Sequence, residues 1–122
     1  MLDHIGLDVS DYERSKAFYE KALAPLGYKM IMEPVSGVCG FGADFPFFWI
    51  GKRDRGPQTG VHVAFRVKDR ETVDAFHAAA LEAGGTDNGG PGMREIYHPN
   101  YYGAFVLDPD GNNVEAVCHK PA

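Results

Sequence analysis

Along the chain, short stretches in which apolar and polar residues alternate give way to stretches in which apolar residues recur every three or four positions. Residues 3–9 alternate, with Ile5, Leu7 and Val9 on one side and His4, Gly6 and Asp8 on the other. That period of two predicts a strand with one buried face. Ser10, followed three residues later by Glu13, predicts a capping box, and Asp11 suits the positive end of a helix. Tyr12, Phe18, Tyr19, Ala22, Leu23 and Leu26 then make an apolar stripe at helical spacing, closed by Pro25 and Gly27. Three more strands are expected at 28–34, 37–43 and 46–51. The same series then returns, with a strand at 61–67 and a helix capped by Asp69. That helix carries Val73, Phe76, Ala80 and Leu81 and stops at Gly84-Gly85. Strands at 94–97, 102–107 and 113–118 follow, the last two joined by a turn at Asp108-Pro109-Asp110-Gly111.

The return is a repeat in sequence as well as in pattern. Shifted by 58 positions, His4 lies over His62, Val9 over Val67, Asp11 over Asp69 and Glu13 over Glu71. Without a gap, Ala17-Phe18 then falls over Ala75-Phe76, Ala22-Leu23 over Ala80-Leu81, and Gly27 over Gly85. One ancestral unit of about 60 residues, duplicated, explains this. The expected organisation is a single α+β domain of two β-α-β-β-β modules, residues 1–51 and 61–122, joined by a polar linker at 52–60.

Composition adds mainly exclusions. The 122 residues carry 12 basic and 17 acidic side chains, a net charge of −5, with no basic cluster of the kind a nucleic-acid partner requires. No apolar run approaches a membrane span, and the start shows no basic-then-apolar export signal. A cytoplasmic setting follows, with Cys39 and Cys118 expected as free thiols. Fifteen aromatic residues exceed what a small core needs, so Phe41, Phe45, Phe47, Trp49 and Phe105 are candidates for an apolar cavity wall. Core packing accounts equally well for some of them.

Candidate chemistry comes from the strand faces. In each first strand the apolar side must cover the module's own helix, so the other side looks away from it. That side carries His4 in module one, His62 and Arg66 in module two, and Glu115 in the last strand. A lone histidine on a strand is ordinarily structural. Two histidines at equivalent places of a duplicated unit are different, because pseudo-symmetry can bring them together. With Glu115 they make a two-histidine, one-carboxylate set that suits Fe, Mn, Ni or Zn and leaves positions open for substrate. Residues 94–102 add Arg94, His98, Asn100, Tyr101 and Tyr102, a density of polar and aromatic groups that a plain hairpin rim does not need. Tyr101 and Tyr102 are candidates to bond a substrate oxygen, Arg94 to hold an anionic group and His98 to shuttle protons. His77 on the second helix reads as structural, and His119 as a minor candidate for the cleft. Asp108 and Asp110 read as turn formers.

Three stretches carry a resemblance: Asp3 to Tyr28, Gly60 to Phe65, and Asp108 to Val117. Together they resemble the vicinal oxygen chelate superfamily of glyoxalases, bleomycin-resistance proteins and extradiol dioxygenases, over essentially the whole chain. The resemblance implies an open, barrel-like cup of curved sheet with a divalent metal at its base and substrates that chelate it through vicinal oxygens. Carried over by position, His4, His62 and Glu115 are the implied metal ligands. The fourth position, in the last strand of module one, falls among Phe47 to Ile50, at Trp49, and has no ligand side chain. The resemblance therefore points away from the glutathione-dependent glyoxalase reaction, which uses a glutamate there, and towards a His-His-Glu site of dioxygenase type. It implies a lyase, isomerase or dioxygenase acting on a small molecule, and a homodimer. Glu115, His98, Tyr101 and Tyr102 are its expected catalytic groups. Trp49, Phe47, Arg66, Arg94, Asn100 and Tyr102 are expected to meet substrate. The alternative is a metal-free protein that binds a cationic antibiotic, as bleomycin-resistance proteins do.

Overall fold

A computed structural model describes all residues, Met1–Ala122. The elements run β1 (Ile5–Asp8), α1 (Tyr12–Leu23), a single 3-10 turn (Ala24–Leu26), β2 (Lys29–Val35), β3 (Val38–Gly42) and β4 (Phe48–Gly51). Then come β5 (His62–Arg66), α2 (Arg70–Glu82), β6 (Thr86–Met93), β7 (Tyr102–Leu107) and β8 (Asn113–Cys118). They form two open four-stranded sheets of identical order, β1-β4-β3-β2 and β5-β8-β7-β6. In each, the first strand pairs in parallel with the last and the remaining pairs are antiparallel. The fold is the expected α+β duplication, with neither sheet closed into a barrel.

Both helices start on an aspartate. Asp69 accepts the amide of Thr72 at 2.8 Å, as expected. In α1 the cap is Asp11, which accepts from the amide of Arg14, one residue later than the expected Ser10. Ser10 is drawn elsewhere: its hydroxyl donates to Asp110 at 2.5 Å. α1 buries Tyr12, Phe18, Tyr19, Ala22 and Leu23, and α2 buries Val73, Phe76 and Ala80, close to the expected stripes.

One strand lies elsewhere than expected. Residues 94–97 form a turn, and the strand is β6, upstream. Its Gly89-Gly90-Pro91-Gly92 looks like a loop in the sequence. On a sheet edge, though, proline needs no partner for its missing N–H, and β6 pairs only with β7, through register shifts at Asp87/Gly89 and Gly89/Gly92.

The modules share one interior. A cluster of 21 buried residues draws on both helices and on the helix-side faces of both sheets. Phe65 of β5 packs its ring against Phe48 at 5.4 Å and also meets Phe47 and Tyr28 of module one. Each large apolar side chain fully buried there contributes about 1.5–3 kcal/mol. Phe41 and Phe47 belong to this interior rather than to a cavity wall, whereas Phe45 is exposed.

A polar clasp joins the modules as well. The buried carboxylate of Asp108 accepts the hydroxyl of Tyr19 at 2.5 Å and the amides of Asp110 and Asn112. Asn112 in turn donates to the carbonyl of Gln58 and accepts the amide of Val61. The turn aspartates thus do more than turn the chain. The linker is also tied down, because the buried Asp8 carboxylate accepts from Arg53 at 2.7 Å and from Arg55.

No helix is long and apolar enough to cross a membrane. Cys39 and Cys118 are buried and unpaired with each other.

Candidate functional site

With the helix-side faces turned inward, the two opposite faces form separate outer surfaces. On the second, β5 and β8 run parallel, with His62 opposite Asn113, Ala64 opposite Glu115 and Arg66 opposite Val117. Phe105 of β7 lies opposite Glu115 on the other side. This is the face that alternation predicted for His62, Arg66 and Glu115.

Glu115 is its centre. The side chain has no solvent exposure. Its Oε1 lies 2.7 Å from Nε2 of His62, and its Oε2 accepts the hydroxyl of Tyr101. A buried carboxylate needs such partners, because leaving it unpaired costs several kcal/mol. A Cβ on Gly103 would lie 3.1 Å from the Tyr101 ring and 3.2 Å from Oε2, so the bare backbone of Gly103 makes room for both. Burial first, and then the Glu115 carboxylate, raise the pKa of Tyr101. Its hydroxyl keeps its proton and serves as a donor. The His62 side chain is 53% exposed, so an accessible imidazole stands on a sequestered carboxylate.

The 94–102 segment divides. Arg94 lies with its guanidinium 5.4 Å from the centre of the Phe105 ring and lines a cleft of about 280 Å³ with Tyr97 and Asn113. Its Nη2 also donates to the carbonyl of Gly90 at 2.8 Å. His98 packs edge-on against His119 at 5.3 Å, and the Asn100 amide approaches its Nδ1 at 3.4 Å. Tyr102 is placed differently from its neighbour. Its hydroxyl donates to Asp74 of α2 at 2.6 Å, and Arg70 lies over its ring. Adjacent strand residues face opposite ways, so Tyr102 shares the side of Ala104 and Val106, away from Glu115. His77, read as structural, pairs with Asp87 at 3.0 Å.

The first outer face carries the third member of the expected set, His4. Gly6 of β1 pairs with Trp49 of β4. Gly6 is the repeat counterpart of Ala64, so Trp49 stands where Glu115 stands in module two. A Cβ on Gly40 would lie 2.8 Å from the Trp49 ring, and only a glycine admits the indole. A cavity of about 360 Å³ runs past His4, Trp49, Asp8, Arg53 and Arg55. His4 is exposed, with its Nδ1 2.7 Å from Asp3. The Arg55 hydrogen bond, helped by Arg53 and Gln58 and opposed by burial, lowers the Asp8 pKa to about 2. A further groove of about 430 Å³, beside Pro25 and Leu26, holds no histidine and no acid.

Within one chain, then, His62 and Glu115 meet and His4 does not join them. No group of three or more His, Cys, Asp or Glu side chains is placed to hold a metal. The cause is the shared interior: packing both helix-side faces together turns the outer faces apart. His62 and Glu115 fit a divalent cation as a pair of nitrogen and carboxylate donors, two of the three that the sequence suggested.

Comparison with known proteins places the chain. The family model for the glyoxalase/bleomycin resistance protein/dioxygenase superfamily matches residues 1–116, and the chain belongs to that superfamily. Among solved structures, a glyoxalase/bleomycin resistance protein from Albidiferax ferrireducens is 30% identical, with TM-score 0.84 over 99% of both chains. A putative glyoxalase from Bacillus halodurans is 27% identical, with TM-score 0.73 over 97% of this chain and 95% of that one. A lactoylglutathione lyase from Agrobacterium tumefaciens shares the fold, at 17% identity and TM-score 0.71 over 97% and 92% of the two chains. No curated protein matches.

Proposed function

We propose that this chain is a metal-dependent enzyme acting on a small molecule with two neighbouring oxygens, and that two copies of the chain complete its site. His62 and Glu115 of one copy would supply two ligands, and His4 of the second copy the third. The observation that supports this most is the His62–Glu115 contact of 2.7 Å on an outer face whose repeat counterpart carries His4. Apolar side chains left exposed, among them Met32, Val35, Met93 and Ile96, give a second copy something to cover.

A bound divalent cation would supply Lewis-acid polarisation of the substrate oxygens. The chain's own groups do the rest. Tyr101 keeps its proton and donates to Glu115, which fixes that carboxylate and its reach. Phe105 and Trp49 offer apolar walls, and Trp49 supplies no carboxylate for proton transfer from module one. That absence supports a lyase, isomerase or dioxygenase reaction over the lactoylglutathione type. The alternative, a metal-free binder of a cationic drug, rests on the aromatic Trp49 surface.

Protein purified without chelators tests the reading by elemental analysis and thermal melting. Bound Mn, Fe, Ni or Zn, with a melting temperature that rises on metal addition and does not rise in His62→Ala, is the expected result. Metal-free protein whose melting is indifferent to all four metals would overturn it.

A further inference from the structure

Beside the His62–Glu115 pair lies a pocket of about 450 Å³ whose lining includes Arg66, His98, His119 and Lys120 and no acidic residue. None of these four side chains takes part in an ion pair. Elsewhere in the chain arginines do find acids: Arg53 and Arg55 both serve Asp8. In a protein with net charge −5, this pocket is a concentration of unanswered positive and protonatable groups. Hydrogen bonds from Thr72 chiefly lower the pKa of Asp69, with Lys68 and Lys120 contributing least, and that carboxylate accepts the Thr72 amide at 2.8 Å and its hydroxyl at 2.6 Å.

The pocket is also built rather than incidental. The His98 and His119 rings meet edge-on at 5.3 Å, and Tyr101 also packs edge-on against His119 at 5.3 Å. Tyr101 is the residue that grips Glu115, so one ring braces both places. Arg66 is two residues from Ala64, the strand partner of Glu115. Two strand residues span roughly 7 Å, and the four from Arg66 to His62 roughly 13 Å. A small molecule of about that length, held by its anion at Arg66, would therefore reach the His62–Glu115 pair.

We infer that this pocket binds the anionic group, carboxylate or phosphate, of a small organic substrate whose reacting end lies at His62 and Glu115. The reacting end rests on the function proposed above; the anion site rests only on the pocket. Arginine supplies a planar fork for either anion, and lysine and the imidazoles supply further donors.

The test uses metal-free protein and follows the imidazole proton signals of His98 and His119 by NMR. Inorganic phosphate, succinate and sodium chloride are added at matched ionic strength. Saturable shifts of both histidines with phosphate or succinate, and none with chloride, are expected. Phosphate alone acting assigns a phosphate-bearing substrate, and succinate alone a carboxylate-bearing one. Arg66→Gln and Lys120→Gln should each weaken the binding roughly tenfold or more, the scale of one charge-assisted hydrogen bond. Shifts that never saturate, that chloride reproduces, or that both variants leave unchanged would overturn the inference. Calorimetry with Mn²⁺ is run alongside. Loss of anion binding with cation binding intact defeats this inference alone, and the converse defeats only the proposed metal site.

Discussion

Trp49 occupies in the first sheet the place that Glu115 occupies in the second. Gly6 pairs with Trp49 in β1–β4, and its repeat counterpart Ala64 pairs with Glu115 in β5–β8. The duplication has kept the backbone register and carries an indole where the second sheet carries a carboxylate, with Gly40 leaving space for the ring. Under the proposed function, Trp49→Glu should add a fourth donor beside His4. Affinity for Mn²⁺, read by calorimetry, should rise about tenfold or more, the scale of one added charged ligand. An unchanged affinity would mean that the first outer face does not meet the metal.

Tyr101 satisfies a carboxylate oxygen that no water reaches. Tyr101→Phe should cost about 1–3 kcal/mol, the penalty for orphaning a buried acceptor. Tyr102→Phe removes an exposed contact to Asp74 and should cost under about 1 kcal/mol. Urea unfolding of the two variants checks the ranking, and equal losses would contradict the assignment of Tyr101 to the Glu115 face.

The modules are held together at Tyr19 and Asp108, 2.5 Å apart. Burial, followed by the Asp108 charge, pushes the Tyr19 hydroxyl well above its ordinary range, so it remains a donor. Tyr19→Phe should cost about 2 kcal/mol and lower the melting temperature by roughly 5–10 °C, with no change in cation or phosphate binding. A melting temperature within a degree of the parent would show the clasp to be dispensable.

Asp8 gives the pH dependence. Its folded pKa of about 2 lies below the ordinary carboxylate value of 3.8, chiefly through Arg55. A depressed folded value means that the unfolded chain takes up the proton first as pH falls. The stability that Asp8 contributes is therefore complete above about pH 5 and is lost progressively towards pH 2. Asp8→Asn should be less stable at pH 7, and its stability should fall less steeply between pH 4 and 2. Parallel acid-unfolding curves for the two proteins would show that the arginines do not hold Asp8 charged.

What could be read in the sequence follows from what leaves a periodic trace. Ile5-Gly6-Leu7-Asp8 and His62 to Arg66 alternate, so both faces of β1 and β5 were legible, including the side carrying His62 and Glu115. β6 left no trace, because glycines and a proline on an edge strand carry no alternation. Its chemistry groups Tyr102 with Tyr101, although it shares parity with Ala104 and Val106, and that signal alone assigns it to the helix side. Three relationships had no local signal. The paths of the linker arginines to Asp8 depend on β1 pairing beside β4, which brings Asp8 next to Gly51, while the Tyr19–Asp108 contact and the separation of His4 from His62 depend on how the modules dock. The basic pocket was half visible: Arg66 and His98 stood out, but His119 and Lys120 join them only once β8 and the 94–102 segment are placed.

The central claim is that the metal site is shared between two copies, and mixing crippled variants tests it directly. His4→Ala and Glu115→Ala proteins are each expected to bind no Mn²⁺. Unfolded together and refolded, they form a mixed pair in which one site regains His4 from one chain and His62 with Glu115 from the other. The account predicts recovery of one Mn²⁺ per mixed pair, read by calorimetry. Wild-type protein that binds Mn²⁺ while the mixed pair binds none would contradict it and place the complete site within a single chain.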